Sequence, residues 1–97
     1  MDDDFEGHEP RRLTNLEKHG IDFNDAIMIW AGPVATRHAS HASEDRYISV
    51  GDMDGRIVAV VWTKRDRRRR LISARKARDH ERLCYAAFVE RGGQRPH

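Results

Sequence analysis

Arginine is the residue type in this sequence that is best suited to chemistry on an anion. Five of the six positions from 65 to 70 are arginine, and two more follow closely. These residues are Arg65, Arg67, Arg68, Arg69, Arg70, Arg75 and Arg78. Because a guanidinium donates several hydrogen bonds in one plane, it matches the oxygens of a phosphate group. The cluster predicts a surface for a nucleic acid, and the alternative is a hairpin kept soluble by its charge.

The face that each arginine occupies follows from the two-residue period of a strand. A strand over 70–75 places Leu71, Ser73 and Arg75 on one face. Arg70, Ile72 and Ala74 then lie on the other face, which we expect to be the core side. Arg75 is therefore predicted on an open face, with Arg65 and Arg67 in the turn at its rim. Such a row can hold successive phosphates of a single strand.

Lys18 and His19 are the second candidate pair, because they close a short predicted helix. A histidine transfers protons near neutral pH, and a lysine can stabilise a developing negative charge. The alternative for His19 is a structural one, in which it caps the negative end of the helix.

A polar loop supplies the third group of candidates: His38, His41, Glu44 and Asp45. Two histidines and a carboxylate could bind a metal, but the spacing matches no defined zinc pattern. We favour a loop that brings Glu44 and Arg46 to a substrate. Tyr47 and Trp62 could stack on a base, although core packing is the preferred interpretation for Trp62.

Motifs for cofactor chemistry are missing from the sequence. It contains no phosphate-binding glycine loop, no dinucleotide fingerprint and no Gly-x-Ser-x-Gly elbow. Nucleotide-cofactor and serine-hydrolase chemistry are therefore disfavoured, and we expect neither a cofactor nor a metal.

The charge of the chain is divided between its two halves. The total is +2, but residues 1–55 carry a net charge of −7 and residues 56–97 carry +9. A positive half can attract a polyanion even when the whole chain is nearly neutral. With 97 residues, we expect one domain covering 1–97. Residues 1–8, apart from a possible short edge strand around Phe5, and residues 92–97 are expected to be flexible.

Localisation is predicted from three further features. No apolar stretch approaches the roughly 20 residues of a membrane span. The chain opens with acidic residues, unlike a signal peptide. Because Cys84 is the only cysteine, no internal disulfide can form, and we expect a reducing cytoplasm.

Helix and strand signals alternate along the chain. Pro10 to Gly20 predicts one helix, and Asp22 is a plausible N-cap for a second helix that ends at Gly32-Pro33. Residues 34–45 are expected to be mostly loop, with a possible short strand at 34–37. Strands are predicted at 46–50, 56–63 and 70–75, with a turn at 52–55, and a helix at 79–91.

This order predicts an α+β fold, with an antiparallel meander of about four strands packed by two N-terminal helices and one C-terminal helix. The run from 56 to 63 should be the central strand, covered on both faces. Leu13 and Leu16 are expected on the buried side of the first helix. Leu83, Ala87, Cys84 and Phe88 are expected to form the apolar stripe of the last helix.

Several segments together resemble the BrnT toxin family. The stretch from Asn15 to Phe23, with Ala26, is similar to its Asn-x-x-Lys-His-Gly-(Val/Ile)-x-Phe-x-x-Ala motif. Residues 44–51 resemble the Glu-x-Arg-(Phe/Tyr)-x-x-(Ile/Val)-Gly strand. Residues 71–77 resemble the Ile-Ser-Ala-Arg-x-Ala segment, and the similarity covers about residues 5–88.

The resemblance implies the toxin of a bacterial type II toxin–antitoxin system with a RelE-like fold. The implied activity is a metal-independent endoribonuclease that cleaves RNA and inhibits translation and growth. A BrnA-like antitoxin would neutralise it, in a complex of two toxins and two antitoxins. The complex would repress its own operon, so operator DNA would be bound only through the antitoxin.

With that activity, the candidate catalytic residues are Lys18, His19, Glu44, Arg46, Arg65 and Arg75. The candidate RNA-binding residues are Thr63, Arg67, Arg68, Arg70 and Arg78. Arg65 and Arg75 are expected to bind phosphate, with Arg46 supporting them and Thr63 positioning the substrate.

Two other function classes are compatible with the residues. One is a nucleic-acid-binding module without catalysis, which predicts salt-sensitive binding and no product. The other is an interaction domain whose basic face serves an acidic protein partner, which predicts no affinity for RNA.

Overall fold

The structure is a computed structural model that describes residues 4–93. It is an α+β fold, as predicted, and its sheet has five strands. The elements in chain order are β1 (Phe5–Gly7), α1 (Glu9–His19), α2 (Phe23–Ala26), a 3-10 helix (Ile27–Ala31), β2 (Val34–His41), β3 (Glu44–Met53), β4 (Arg56–Arg65), β5 (Arg68–Lys76) and α3 (Asp79–Glu90).

The strand order across the sheet is β1-β5-β4-β3-β2. Strands β2 to β5 form the predicted antiparallel meander, whereas β1 pairs with β5 in parallel. The prediction of an antiparallel sheet of about four strands was therefore wrong, because the sheet has a fifth strand and that strand is parallel to its neighbour. Residue 5 lies in the short edge strand that the sequence analysis gave as a possibility. Parts of the two segments that were expected to be flexible, residues 1–3 and 94–97, lie outside the described part of the chain.

Strand β2 corrects the prediction of a loop over most of 34–45. It pairs with β3 along its whole length, from Val34 opposite Gly51 to His41 opposite Glu44. Because β2 is an edge strand and most of its side chains are exposed, it lacks the alternating apolar pattern by which strands are recognised. The loop shrinks to a two-residue turn in which Ala42 has a φ of 55°.

The corner between the first two helices follows local sequence signals. Gly20 ends α1 with a φ of 71°, a conformation that glycine adopts without a steric penalty. The Asp22 side chain then accepts a hydrogen bond from the Asn24 amide at 2.9 Å and caps α2, as predicted. The second helix is shorter than predicted, because after Ala26 the chain tightens into the 3-10 helix.

Packing of the 3-10 helix on the sheet depends on one glycine. Ile29 is 1% exposed and lies directly over Gly51 of β3. A Cβ atom at position 51 would lie 2.7 Å from the Ile29 Cβ. Absence of a side chain at Gly51 therefore allows this close approach.

Two apolar clusters cover the two faces of the sheet. On the first face, here called the α2 face, Phe23 and Ile29 pack on Val58 and Val60. On the second, the α3 face, Tyr85 packs with Val50, Ala59 and Ala77. Val58, Ala59 and Val60 are all fully buried, which confirms the prediction of a central strand covered on both faces.

Helix α1 meets the sheet through a polar residue. The Asn15 side chain donates to the Ala74 carbonyl at 2.9 Å and accepts from the Ala74 amide at 3.0 Å. It thus takes the place of a neighbouring strand where β1 has ended. The predicted apolar face was wrong, since Leu13 and Leu16 are exposed.

Helix α3 also buries a different face from the one predicted. Glu81 and Tyr85 are its buried residues, with Phe88 partly buried against the α3-face cluster. Leu83 and Cys84 are exposed, so the expected apolar stripe was wrong in these members. Burial of Tyr85 and Glu81 is stabilised by hydrogen bonds that local periodicity does not reveal.

A bulge in β5 changes which side chains share a face. Trp62 lies opposite Leu71, but Val61 lies opposite Ser73, so Ile72 is an extra residue. Leu71 and Ala74 both belong to the α2-face cluster, contrary to the prediction from strict alternation. Arg70 and Arg75 consequently both project on the α3 face.

Candidate functional site

Basic side chains from four strands project on the α3 face, and most of them lie beyond the part that helix α3 covers. Cross-strand partners project from the same face of a sheet. The pairs that establish this face are Arg65 opposite Arg68, Thr63 opposite Arg70, Arg37 opposite Ile48 and Ala59 opposite Arg75. Arg46 joins them, two residues before Ile48 on β3. We call Arg37, Arg46, Thr63, Arg65, Arg68, Arg70 and Arg75 the open basic face.

The open basic face is too long for one phosphate to contact all of it. Arg65 and the partner of Arg75, Ala59, are six residues apart on β4, which corresponds to roughly 20 Å. Arg65 and Arg75 can therefore contact different phosphates of one chain but not the same phosphate.

Arg75 forms the most extensive ion pair of the face. Its two terminal nitrogens donate to the two carboxylate oxygens of Glu81 at 2.7 and 3.0 Å. Glu81 is 4% exposed, also accepts the Arg78 amide at 2.8 Å and lies 3.6 Å from Arg37. Both terminal nitrogens of Arg75 are thus engaged by the protein itself.

These contacts set the acidity of Glu81. Hydrogen bonds from Arg75 lower the pKa of Glu81 to about 2, and the Arg78 amide and the charge of Arg37 act in the same direction. Burial opposes them, because it disfavours the charged carboxylate. Glu81 is therefore ionised at neutral pH and fixes the orientation of Arg75.

Three other arginines of the face are held through a different nitrogen. Arg46 donates from Nε to Glu44 at 2.8 Å. The Nε atoms of Arg65 and Arg70 lie 3.8 and 3.6 Å from a carboxylate oxygen of Glu6 on β1. A contact at Nε leaves the two terminal nitrogens of each guanidinium available to a ligand.

Thr63 lies in the middle of this row. It is 9% exposed, and its hydroxyl donates to the Asp45 carbonyl at 2.7 Å. It lies opposite Arg70, so it joins the strands that carry Arg46 and Arg70.

The remaining arginines of the cluster are not part of the open basic face. Arg69 projects on the α2 face, where its guanidinium lies 5.1 to 5.4 Å from the ring centroids of Phe5, Trp30 and Trp62. Arg67 lies in the β4–β5 turn. Arg78 is the N-cap of α3, after the opposite end of β5, so the structure does not bring it together with Arg67 and Arg68.

Lys18 and His19 line a separate cleft between α1 and the outer edge of β5. The cleft has a volume of about 470 Å³. Its other lining residues are His8, Pro10, Arg11, Thr14, Asn15, Ile72 and Ser73. Ser73 lies opposite Val61 and so projects on the α3 face, which makes it the link between the cleft and the open basic face.

The predicted proton-transfer residues do not form one cluster. Glu44 begins β3, whereas Lys18 and His19 lie beyond β5, and β4 lies between those two strands. The two groups therefore flank the open basic face on opposite sides.

The histidines of the predicted loop lie on β2. His38 lies 3.0 Å from Asp45 and packs edge-on against Tyr47, whereas His41 lies opposite Glu44. No three His, Cys, Asp or Glu side chains of residues 4–93 are arranged to hold a metal ion. Trp62 is buried and stacks on Tyr47, as the core interpretation predicted.

Sequence reasoning missed the acidic and cleft residues of the site. Glu81 follows Arg78 by three residues at the start of a helix, which is the spacing of a capping box, so a signal for its orientation was present. Glu6 carried no such signal, because its contacts depend on β1 pairing with β5. Arg11 was overlooked because its face of α1 is defined only by packing on β5.

A comparison with protein families matches residues 8–81 to the model described as "Ribonuclease toxin, BrnT, of type II toxin-antitoxin system". The match covers most of the chain, including all of the open basic face. The chain belongs to the BrnT toxin family. A comparison with curated proteins gave no match. No helix within residues 4–93 is long and apolar enough to span a membrane.

Membership of the BrnT family agrees with the motifs quoted in the sequence analysis. The structure shows what several residues of these motifs do. Asn15 joins α1 to β5, Gly20 turns the chain, and Gly51 admits Ile29. These family-motif residues build the frame of the site. The RelE-like fold that the resemblance implied stays a prediction.

Proposed function

We propose that this BrnT protein is a cytoplasmic, metal-independent endoribonuclease that cleaves RNA on the open basic face and thereby stops translation and growth. The family match over residues 8–81 carries the proposal. The row of arginines with accessible terminal nitrogens supports it, because a sugar-phosphate chain presents successive anionic groups.

In the proposed reaction, the ribose 2′-hydroxyl attacks the adjacent phosphorus and the bond to the 5′-oxygen breaks. The products are a 2′,3′-cyclic phosphate and a free 5′-hydroxyl. The protein must accept one proton, donate another and stabilise the added negative charge on the phosphate. No cofactor enters this scheme.

We assign phosphate binding to Arg46, Arg65 and Arg70, with Arg68 and Arg67 contacting the chain near the β4–β5 turn. Glu44 accepts a hydrogen bond from Nε of Arg46, and Glu6 lies 3.8 and 3.6 Å from the Nε atoms of Arg65 and Arg70, so the terminal N–H groups of all three are free of hydrogen bonds to the described carboxylates. Arg75 is better suited to a supporting role, since Glu81 occupies both of its terminal nitrogens. Thr63 positions the ribose, and Arg78 lies outside the proposed path.

Proton transfer is assigned to the groups that flank the row. Glu44 lies beside Arg46, and Lys18 and His19 lie at the edge next to Ser73. Replacing each candidate separately identifies the general acid and the general base, because loss of either one typically lowers the rate 10²–10⁴-fold.

The activity is tested with purified protein and a defined single-stranded RNA, with and without EDTA. The proposal predicts equal cleavage in both samples and products that end in a 2′,3′-cyclic phosphate. An RNA with one 2′-deoxy sugar at the cleavage position should resist cutting. Cleavage that requires a divalent cation would contradict the mechanism, and salt-sensitive binding without products would indicate a non-catalytic binding module.

The partner assignment is part of the same proposal. We propose that a BrnA-like antitoxin, joined in a complex of two toxins and two antitoxins, neutralises the protein and represses the operon through its own contact with operator DNA. Expression alone should arrest growth, and co-expression of a neighbouring antitoxin gene should restore it. Growth arrest that the antitoxin does not relieve would contradict this assignment.

A further inference from the structure

The cleft between α1 and β5 contains basic side chains that differ from those of the open basic face in one respect. Arg11 and Lys18 form no ion pair with any residue from 4 to 93. On the open basic face, by contrast, Arg46, Arg65 and Arg70 each lie beside a carboxylate. The cleft therefore holds positive charge that the described protein does not neutralise.

Helical spacing and one set of hydrogen bonds fix the shape of this cleft. Arg11, Thr14 and Lys18 lie three and four residues apart, so they share one face of α1. The bonds between Asn15 and Ala74 hold that face against β5 at 2.9 and 3.0 Å. The backbone positions on both sides of the cleft are thus fixed without a ligand.

The acidic residues of α1 do not line the cleft. Glu9 pairs with Arg12, which also pairs with Asp22 at 2.6 Å. Neither Glu9 nor Glu17 is among the lining residues, and no described carboxylate lines the cleft. An anion that enters it meets basic groups and hydroxyls without a competing negative charge.

Size and composition indicate which anion fits. A volume of about 470 Å³ lies within the range of roughly 300–1,000 Å³ that is usual for small-molecule sites. Arg11, Lys18, Thr14 and Ser73 offer donors for phosphate oxygens. Pro10 and Ile72 add an apolar surface for a sugar or a base, and Ile72 is the extra residue of the bulge in β5.

The position of Ser73 indicates the path that a bound RNA strand would follow. It lines the cleft and also projects on the α3 face, so a strand that crosses Arg70 can continue past Ser73 into the cleft. We propose that the cleft is a second RNA subsite, which binds the nucleotide next to the cleaved bond with Arg11 as its principal phosphate ligand. This inference rests on the proposed function, because it takes RNA as the ligand.

The test uses a ten-nucleotide single-stranded RNA with 2′-O-methyl groups throughout, which cannot be cleaved by the proposed mechanism. Its binding to the full chain is measured by fluorescence anisotropy over a range of salt concentrations. The variant is Arg11→Gln, and the matched control is Arg56→Gln. Arg56 is also exposed and without a described ion pair, but it lies at the β3–β4 turn.

Arg11→Gln is expected to weaken binding severalfold and to reduce the slope of log affinity against log salt by about 0.7, the value for one phosphate contact on a single strand. Arg56→Gln should match the unmodified protein in both measurements. Equal affinities and slopes for the two variants would overturn the subsite. An effect of Arg11→Gln on antitoxin binding with no effect on RNA would overturn it as well.

Failure of the subsite can be distinguished from failure of the proposed cleavage activity. If ordinary RNA is not cut but Arg11→Gln still weakens binding, the cleavage proposal fails and the subsite stands. If ordinary RNA is cut and Arg11→Gln binds normally, the cleavage proposal stands and the subsite fails.

Discussion

At the scale of single residues, the arginines of the open basic face differ in the nitrogen that a carboxylate contacts. Glu44 and Glu6 contact Nε atoms, whereas Glu81 takes both terminal nitrogens of Arg75. Sequence spacing predicted Arg70 on the core side of β5, whereas the bulge at Ile72 places it on the α3 face together with Arg65. Sequence spacing did not predict the ion pairs either, because each carboxylate comes from a different element.

Replacement of Glu81 by Gln should destabilise the protein. The change leaves the guanidinium of Arg75, which is only 15% exposed, without its anionic partner. Breaking a buried ion pair costs about 3–5 kcal/mol. The free energy of unfolding from urea denaturation should therefore fall by about that amount. Glu90→Gln, at the exposed end of α3, is the matched control and should be neutral. Equal stabilities of the two variants would contradict this role of Glu81.

Acid should remove the same contribution in the unmodified protein. The pKa of Glu81 is about 2 in the folded state, below its ordinary value of 4.5. A lowered pKa means that the stabilisation is complete above pH 4.5 and is lost as the pH falls toward 2. Denaturation measured between pH 6 and pH 2.5 should show a loss of stability that Glu81→Gln shows to a smaller extent. Identical pH profiles for the two proteins would refute the prediction.

At the scale of elements, local signals predicted the structure well where an element depends on its own residues. Gly20 and Asp22 mark the corner between helices, and the apolar run of β4 is the central strand. Prediction was wrong where an element depends on a distant partner. Strand β2 is defined by its pairing with β3, and the Ile72 bulge by the register of β5 against β4.

Asn15 should be needed to hold α1 on the sheet. Its side chain satisfies the amide and carbonyl of Ala74 and the carbonyl of Ile21. Because buried backbone groups without partners cost about 1–3 kcal/mol, Asn15→Ala should lower the free energy of unfolding by at least about 2 kcal/mol. Asn24→Ala, an exposed change in α2, serves as the control. Similar melting curves for both variants would show that α1 is held by other contacts.

Gly51 should tolerate no larger residue. A Cβ at position 51 meets Ile29 at 2.7 Å, so either β3 or the 3-10 helix must move. Gly51→Ala should cost about 1–3 kcal/mol, the usual penalty of overpacking. Gly32→Ala provides the comparison, since a Cβ there meets nothing within 4 Å and the backbone is extended. A melting temperature for Gly51→Ala at or above that of Gly32→Ala would contradict the packing argument.

At the scale of the whole molecule, the two faces of the sheet have different roles. The α2 face holds the larger apolar cluster, and the open half of the α3 face presents arginines to solvent. The opposite charges of the two halves of the sequence are thereby brought together, since Glu6 of the acidic half lies 3.8 and 3.6 Å from Arg65 and Arg70 of the basic half. Sequence analysis assigned the chain to its family through motifs that contain both frame residues, such as Asn15 and Gly51, and candidate site residues, such as Lys18 and Arg46. It could not locate the cleft, which exists only where α1 packs on β5.

Single-turnover cleavage of one defined RNA tests the open basic face most directly. We compare the unmodified protein, Arg70→Gln and the control Arg56→Gln, with folding of each verified by circular dichroism. Loss of one donor that stabilises charge in the transition state costs on the order of 100-fold or more in rate. We expect Arg70→Gln to show this loss of rate and Arg56→Gln to cleave as fast as the unmodified protein. Cleavage by folded Arg70→Gln at the rate of the unmodified protein would contradict this expectation.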